Sequence, residues 1–145
     1  MKFEDIMNEW QEDSKIDNTE LARESLKTPQ LHSKYLKMLT TEALTLQKIE
    51  YEHRTMLRMK HEYYMGILDK ETLVMQGWSP NPMRIIKQDL PLYLNSDEDL
   101  QQLTARIDIQ KQKISFLESV IKTITNRGFL IKNAIDWQKF TSGIA

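Results

Sequence analysis

An all-α or mostly α fold organised around two long helices is predicted by three features of the sequence. Glycine and proline number only four each, so long stretches of chain carry no helix breaker. Apolar residues recur at helical spacing in both halves, and capping residues stand where helices would begin. Only the middle of the chain, where turn residues gather, admits a small β-hairpin.

At the N-terminus, Phe3, Ile6, Met7 and Trp10 share one face of a short amphipathic helix over residues 3–12, whose other face is acidic. This helix is a candidate docking element for a protein partner. In Ile16-Asp17-Asn18-Thr19-Glu20-Leu21, Asp17 is placed to cap, Glu20 to reach back to its backbone N–H, and Ile16 to staple onto Leu21. A second short helix begins there. Thr28-Pro29 reads as a restart, with Thr28 as N-cap and Pro29 at the first helical position, where its missing N–H costs nothing. From Pro29 to Tyr64 nothing interrupts, which predicts a helix of about nine or ten turns and about 50 Å. Leu39, Leu46, Ile49, Met56, Leu57, Tyr63 and Tyr64 fall within an arc of about 120°, together with Glu42, His53 and Lys60. Arg54, Arg58 and His61 lie on the opposite side.

Residues 66–97 hold Gly66, Gly77-Trp78-Ser79-Pro80-Asn81-Pro82 and Leu90-Pro91-Leu92, with β-tolerant pieces at 73–76 and 83–87 that would form the hairpin. Ser96-Asp97-Glu98-Asp99 then supplies a cap and first-turn acids suited to the positive end of a helix dipole. In the long helix that follows, Leu103, Ile107, Gln110, Ile114, Leu117, Ile121 and Ile124 are spaced 4-3-4-3-4-3. This is a coiled-coil-like seam broken only by Gln110, a polar residue placed to fix register. The helix is expected to end at Asn126-Arg127-Gly128, with Gly128 as the left-handed residue after it. Phe129, Ile131, Ile135, Trp137 and Phe140 form a last apolar element, either core or subunit interface, interspersed with Arg127, Lys132 and Lys139.

The 145 residues make one domain in three parts: a helical N-terminal part (1–66), an irregular or hairpin segment (67–97) and a helical C-terminal part (98–145). The apolar stripes are longer than one subunit of this size buries comfortably, so self-association is expected, with Leu103, Ile107, Ile114, Leu117, Ile121 and Phe129 at the contacts.

Composition narrows the chemistry. No cysteine is present, which excludes disulfides, thiolate nucleophiles and zinc-thiolate sites and fits a reducing cytoplasm. No apolar run reaches the length of a membrane span, and the acidic start Met1-Lys2-Phe3-Glu4-Asp5 is unlike a signal peptide. The three histidines, His32, His53 and His61, lack metal-ligand spacing, the isolated glycines form no phosphate loop, and no serine has an elbow or base. Neither an enzyme, a metal site nor a cofactor is expected.

Binding remains. The net charge is −1, so any case for a polyanion rests on distribution: residues 31–65 and 111–145 are net basic, the other two stretches net acidic. Within the first basic stretch, Arg54-Thr55-Met56-Leu57-Arg58-Met59-Lys60-His61-Glu62-Tyr63-Tyr64 sets cations and aromatics into one helix. Cations neutralise phosphates and aromatic faces stack on unpaired bases, so Arg54, Arg58, Lys60, His61 and Tyr64 are candidate contacts to single-stranded DNA. Tyr63 and Tyr64 equally well pack against a neighbouring helix. Arg127 and Lys132 are candidates for a secondary DNA contact. A straight helix presents Arg58 and Lys60 to one row of phosphates only if it bends, if the strand crosses it, or if Lys60 snorkels to water.

These residues resemble the phage recombination mediator family UvsY. The resemblance is carried by Phe3-Glu4-Asp5-Ile6, the segment from Ile16 to Leu21, Ser33-Lys34-Tyr35-Leu36, Leu57-Arg58-Met59-Lys60-His61-Glu62-Tyr63-Tyr64-Met65-Gly66, and Asn126-Arg127-Gly128-Phe129-Leu130-Ile131-Lys132. Residues 67–94 match poorly. The resemblance implies a ring-forming, non-catalytic homo-oligomer, hexameric or heptameric, that binds single-stranded DNA in the cytoplasm of an infected bacterium. It also implies that the protein helps load the phage recombinase onto DNA coated by the phage single-strand-binding protein. The family's L-[KR]-x-[KR] motif falls on Arg58 and Lys60, with Lys60 where arginine is more usual; lysine offers a point charge where arginine binds phosphate bidentately. By the resemblance, the C-terminal part carries self-assembly. The rival from the residues alone is a coiled-coil adaptor or assembly chaperone without nucleic-acid binding. A regulator reading duplex DNA would need a recognition helix that is not identifiable here.

Overall fold

The computed structural model describes residues 1–81 and 84–143. Five helices follow in order: α1 (Phe3–Asp13), α2 (Leu21–Met65), α3 (Lys70–Gln76), α4 (Leu90–Ser96) and α5 (Glu98–Thr141), with no strand among the described residues. The chain divides into two compact units, one made of Met1–Ala43 with Gln112–Ala145 and the other of Leu44–Lys111, so α2 and α5 contribute to both.

In the first unit, Ile6 of α1, Tyr35 of α2 and Leu117, Val120 and Ile124 of α5 form the buried centre. Trp10 packs edge-on against Tyr35 at 5.2 Å and Phe3 against Phe116 at 5.7 Å. The Tyr35 hydroxyl donates to Asp13 at 2.8 Å, and Lys34 reaches Asp13 at 2.6 Å and Glu9 at 2.8 Å, so polar contacts close the edge of the apolar patch.

Two expected breaks are absent. Thr28 is not a cap, because α2 begins at Leu21 and carries Pro29 in its interior. Asp17 does not complete a capping box either: its carboxylate takes the Thr19 N–H and hydroxyl at 3.0 and 2.6 Å, and Glu20 pairs with Arg23. An interior proline costs about 3 kcal/mol, so some contact must hold the turn before Pro29 in place. Arg127 of α5 does: its guanidinium donates to the Glu24 carbonyl, to the Glu24 carboxylate at 2.6 Å and to the Thr28 hydroxyl at 2.7 Å. The same clamp explains Gly128, which lies inside α5 and has no positive φ. Arg127 before it and Ile131 after it are both buried. Burying a side chain the size of Ile131 contributes about 1.5–3 kcal/mol, against about 1 kcal/mol for a mid-helix glycine, so the helix continues.

The expected seam is used within the chain. Leu117 lies in the first unit's core and Leu103 is buried in the second, while Ile107, Ile114 and Ile121 are half-buried. Of the expected oligomer residues, Leu103 and Leu117 are covered by their own chain, Ile107, Ile114 and Ile121 keep part of their surface, and Phe129 is exposed.

In the second unit, Ile49, Ile85, Leu90, Leu100 and Leu103 are buried, and Gln110 is buried with them. The expected hairpin is replaced by helix. Asp69 accepts the Thr72 N–H at 3.0 Å and its hydroxyl at 2.8 Å, and Gly77, at φ 70°, ends the turn of α3 over the 73–76 piece. Of the second piece, Met83 lies outside the described residues, and 84–87 form no strand; the Ile85 N–H instead donates to the Tyr64 carbonyl at 3.2 Å.

Candidate nucleic-acid interface

The second half of α2 has two chemically opposite sides within the second unit. Successive helical residues are rotated by about 100°, so Arg58 and Lys60 point roughly 160° apart, and burial shows the result. The Lys60 side chain is only 7% exposed whereas Arg58 and Arg54 are 68% and 67% exposed.

Lys60 does not snorkel to solvent. Its ammonium lies 3.1 Å from Asp97 and 2.9 Å from Asp99, with the Trp78 ring centroid 4.0 Å away. The Tyr64 hydroxyl donates to Asp97 at 2.6 Å, and the Leu100 N–H, in the first turn of α5, donates to its other oxygen at 3.0 Å. Asp97 therefore caps α5, as its position in the sequence implied, and also ties that cap to α2. Tyr63 completes the cluster, packing on Tyr64 at 5.3 Å and Trp78 at 5.4 Å while its hydroxyl donates to the Ser79 carbonyl at 2.6 Å. Both tyrosines are thus engaged inside the subunit.

Burial alone would raise the Asp97 pKa, but the Tyr64 hydroxyl, the Leu100 amide and Lys60 outweigh it and hold the carboxyl below its ordinary value of 3.8. Burial first, and then the bond to Asp97, push the Tyr64 phenol far above its usual range. The lowered Asp97 value fixes the sign of an acid effect. Its stabilisation is fully present above the unfolded carboxylate range and is lost as pH falls through the folded value. Melting temperature should accordingly drop on acidification below about pH 4, and Asp97→Asn should shallow that drop in a thermal titration. An unchanged acid profile in Asp97→Asn would remove the carboxylate from the account.

On the outer side, Tyr51, Arg54, Arg58 and His61 follow a 3-4-3 spacing and are all exposed, so they form one row along α2 about 15 Å long. Its ion pairs are loose: Arg54 to Glu50 at 3.9 Å and Arg58 to Glu62 at 3.7 Å, each beyond hydrogen-bond length. Exposed i,i+4 pairs of this kind contribute about 0.3–0.5 kcal/mol, which a phosphate displaces readily. Tyr51, which motif reading passed over, is the row's aromatic member; the signal was its place three residues before Arg54.

The other expected DNA contacts separate in the same way. Lys132 is exposed, but Arg127 is buried against Glu24 and has no face for a phosphate. No cluster of histidine and acidic residues suited to a metal occurs among the described residues, and no helix there is long and apolar enough to cross a membrane.

Comparison with known proteins places these features. Residues 9–144 match the family model described as recombination, repair and ssDNA binding protein UvsY. The recombination protein uvsY of Enterobacteria phage T4 is 25% identical over 143 residues, covering 99% of each chain. A crystal structure of the bacteriophage T4 recombination mediator protein UvsY (lattice type II) superposes with a TM-score of 0.84 at 25% identity, covering 98% of both chains. A second (lattice type I) superposes at 0.82 with 24% identity, covering 94% of this chain and 98% of the other, and speaks to the fold. A match across nearly the whole length, by sequence and by fold, settles the assignment: the chain belongs to the UvsY family of recombination, repair and single-stranded-DNA-binding proteins.

Proposed function

We propose that this protein is a recombination mediator in phage homologous recombination and repair. It binds single-stranded DNA through the exposed row of Arg54, Arg58 and His61 and promotes loading of the phage recombinase onto DNA coated by single-strand-binding protein. The observation that carries the reading is the coincidence of the family match with a solvent-facing cationic row inside the matched region. Lys60 and Tyr64 act as positioning residues, holding α5 against the helix that displays the row.

Each row is a weak site, since loose arginines on one helix face neutralise few phosphates. Copies joined in one particle gain avidity from effective concentration, so a homo-oligomer, as a hexameric or heptameric ring, would grip a strand that one subunit releases. The end of α5 supports self-association: Trp137 and Phe140 stack at 5.8 Å between ring centroids while remaining 65% and 76% exposed, and Phe129 and Leu130 are exposed nearby.

The double substitution Arg54→Ala with Arg58→Ala should weaken binding to a single-stranded oligonucleotide at least tenfold at low salt. It should also flatten the log–log salt slope by about 1.4 for each subunit engaged, at about 0.7 per phosphate contact. Particle size by light scattering should not change. Loss of the oligomer in this variant would make the row a subunit contact, and undiminished binding would leave the helical adaptor as the better description.

A further inference from the structure

The strand-binding reading accounts for the arginines of the row but assigns nothing to Tyr51, a 54% exposed aromatic at its head. We propose that Tyr51 is the base-stacking residue of this interface and that the groove at its foot receives an unpaired nucleobase; the inference rests on the strand-binding reading above.

Three observations point there. The ring is held in place without being covered. The Arg54 guanidinium lies 5.4 Å from its centroid, and the Gln47 amide donates to its hydroxyl at 3.2 Å. A pre-positioned aromatic loses less rotamer freedom on stacking than a free one, and an arginine beside it neutralises the phosphate next to the stacked base. The ring also borders a groove of about 580 Å³ lined by Met56, Met59 and Leu103 with Lys48 at its rim. That volume lies in the range of small-ligand sites of about 300–1,000 Å³, and thioether sulfurs contact flat π-systems favourably. Finally, the lining of the groove is balanced in charge: Glu52 is paired with Arg106, Asp99 shares Lys60 with Asp97, and Lys48 makes no ion pair among the described residues and is left for a phosphate.

Because Tyr63 and Tyr64 are engaged inside the subunit, the exposed aromatic available beside the cationic row is Tyr51. Stacking and phosphate contact are separable: removing the ring costs affinity for bases and leaves the salt slope alone, whereas removing Arg58 does the reverse.

The test uses the full-length protein with labelled oligothymidylate and an abasic strand of equal length. Tyr51→Ala should bind oligothymidylate about fivefold or more weakly, bind the abasic strand as the unsubstituted protein does, and keep its salt slope. Tyr51→Phe should retain the preference for bases. Tyr51→Ala that binds both strands normally, while Arg58→Ala loses affinity, would overturn the role of Tyr51 and leave strand binding standing. Equal losses on both strands with a flatter slope would assign Tyr51 to phosphate and overturn stacking. Failure of the unsubstituted protein to bind either strand would overturn both.

Discussion

Replacing Lys60 with methionine is expected to cost the fold about 3–5 kcal/mol, because it leaves a buried carboxylate without its counter-ion. Asp97 is as buried as Lys60 and would keep only the Tyr64 hydroxyl and the Leu100 amide, while Trp78 would lose the cation at its face. Arg58→Ala, two residues away, should change stability by no more than about 0.5 kcal/mol, since its side chain is exposed and its pair with Glu62 is loose. Urea unfolding followed by circular dichroism measures both. The contrast matters for function: two neighbouring cations of one motif separate into a residue that holds the helix and a residue free to touch DNA. A Lys60→Met protein with the stability of the parent and a defect confined to strand affinity would return Lys60 to the DNA-binding surface.

A smaller loss, about 1.5–3 kcal/mol, is expected for Arg127→Met, which removes charge-assisted hydrogen bonds from a carboxylate that keeps a second cation. Glu24 is buried to the same degree as Arg127, and the substitution leaves its carboxylate with Lys27 alone, at 2.8 Å, while withdrawing a donor from its carbonyl and from Thr28, next to Pro29. The pair itself is imperfect, for the Arg127 Nε is buried without a partner among the described residues. A buried unsatisfied donor costs about 1–3 kcal/mol, so removing both charges should be much milder than removing one. Glu24→Gln combined with Arg127→Met should therefore be more stable than Arg127→Met alone, and a double-mutant cycle by urea unfolding reads that coupling. Simple additivity of the two substitutions would contradict the clamp, as would a DNA-binding defect in Arg127→Met without a stability loss.

The two clamps mark where the sequence was legible. Helical phase alone put Lys60 on the apolar side and Arg54, Arg58 and His61 on the other, and burial follows that division. The wheel could not supply the partners: Asp97 reads locally as a helix cap, and its second role depends on Lys60 lying close in space. Pro29 and Gly128 were read as breaks for the same reason. Their local penalties are visible in the sequence, while the Arg127–Glu24 bond that offsets them joins residues 103 positions apart. The 4-3-4-3 spacing located α5 correctly but left its partner open, and burial within the chain covers Leu117 and Leu103. In the middle segment, Leu73-Val74-Met75 reads as β-tolerant by side chain; the Asp69 cap and Gly77 stop turned it into α3, which buries no residue. The candidate site was half legible: the arginines were named from the motif, and Tyr51 was missed because it stands upstream of it.

The most direct test of strand binding is fluorescence anisotropy of a labelled single-stranded oligonucleotide titrated with the full-length protein across a series of salt concentrations, with duplex of the same length alongside. The account predicts binding that favours the single strand, weakens linearly in log affinity against log salt, and loses part of that slope when Arg54 and Arg58 become alanine. Absence of binding at low salt, or affinity that ignores salt, would contradict it.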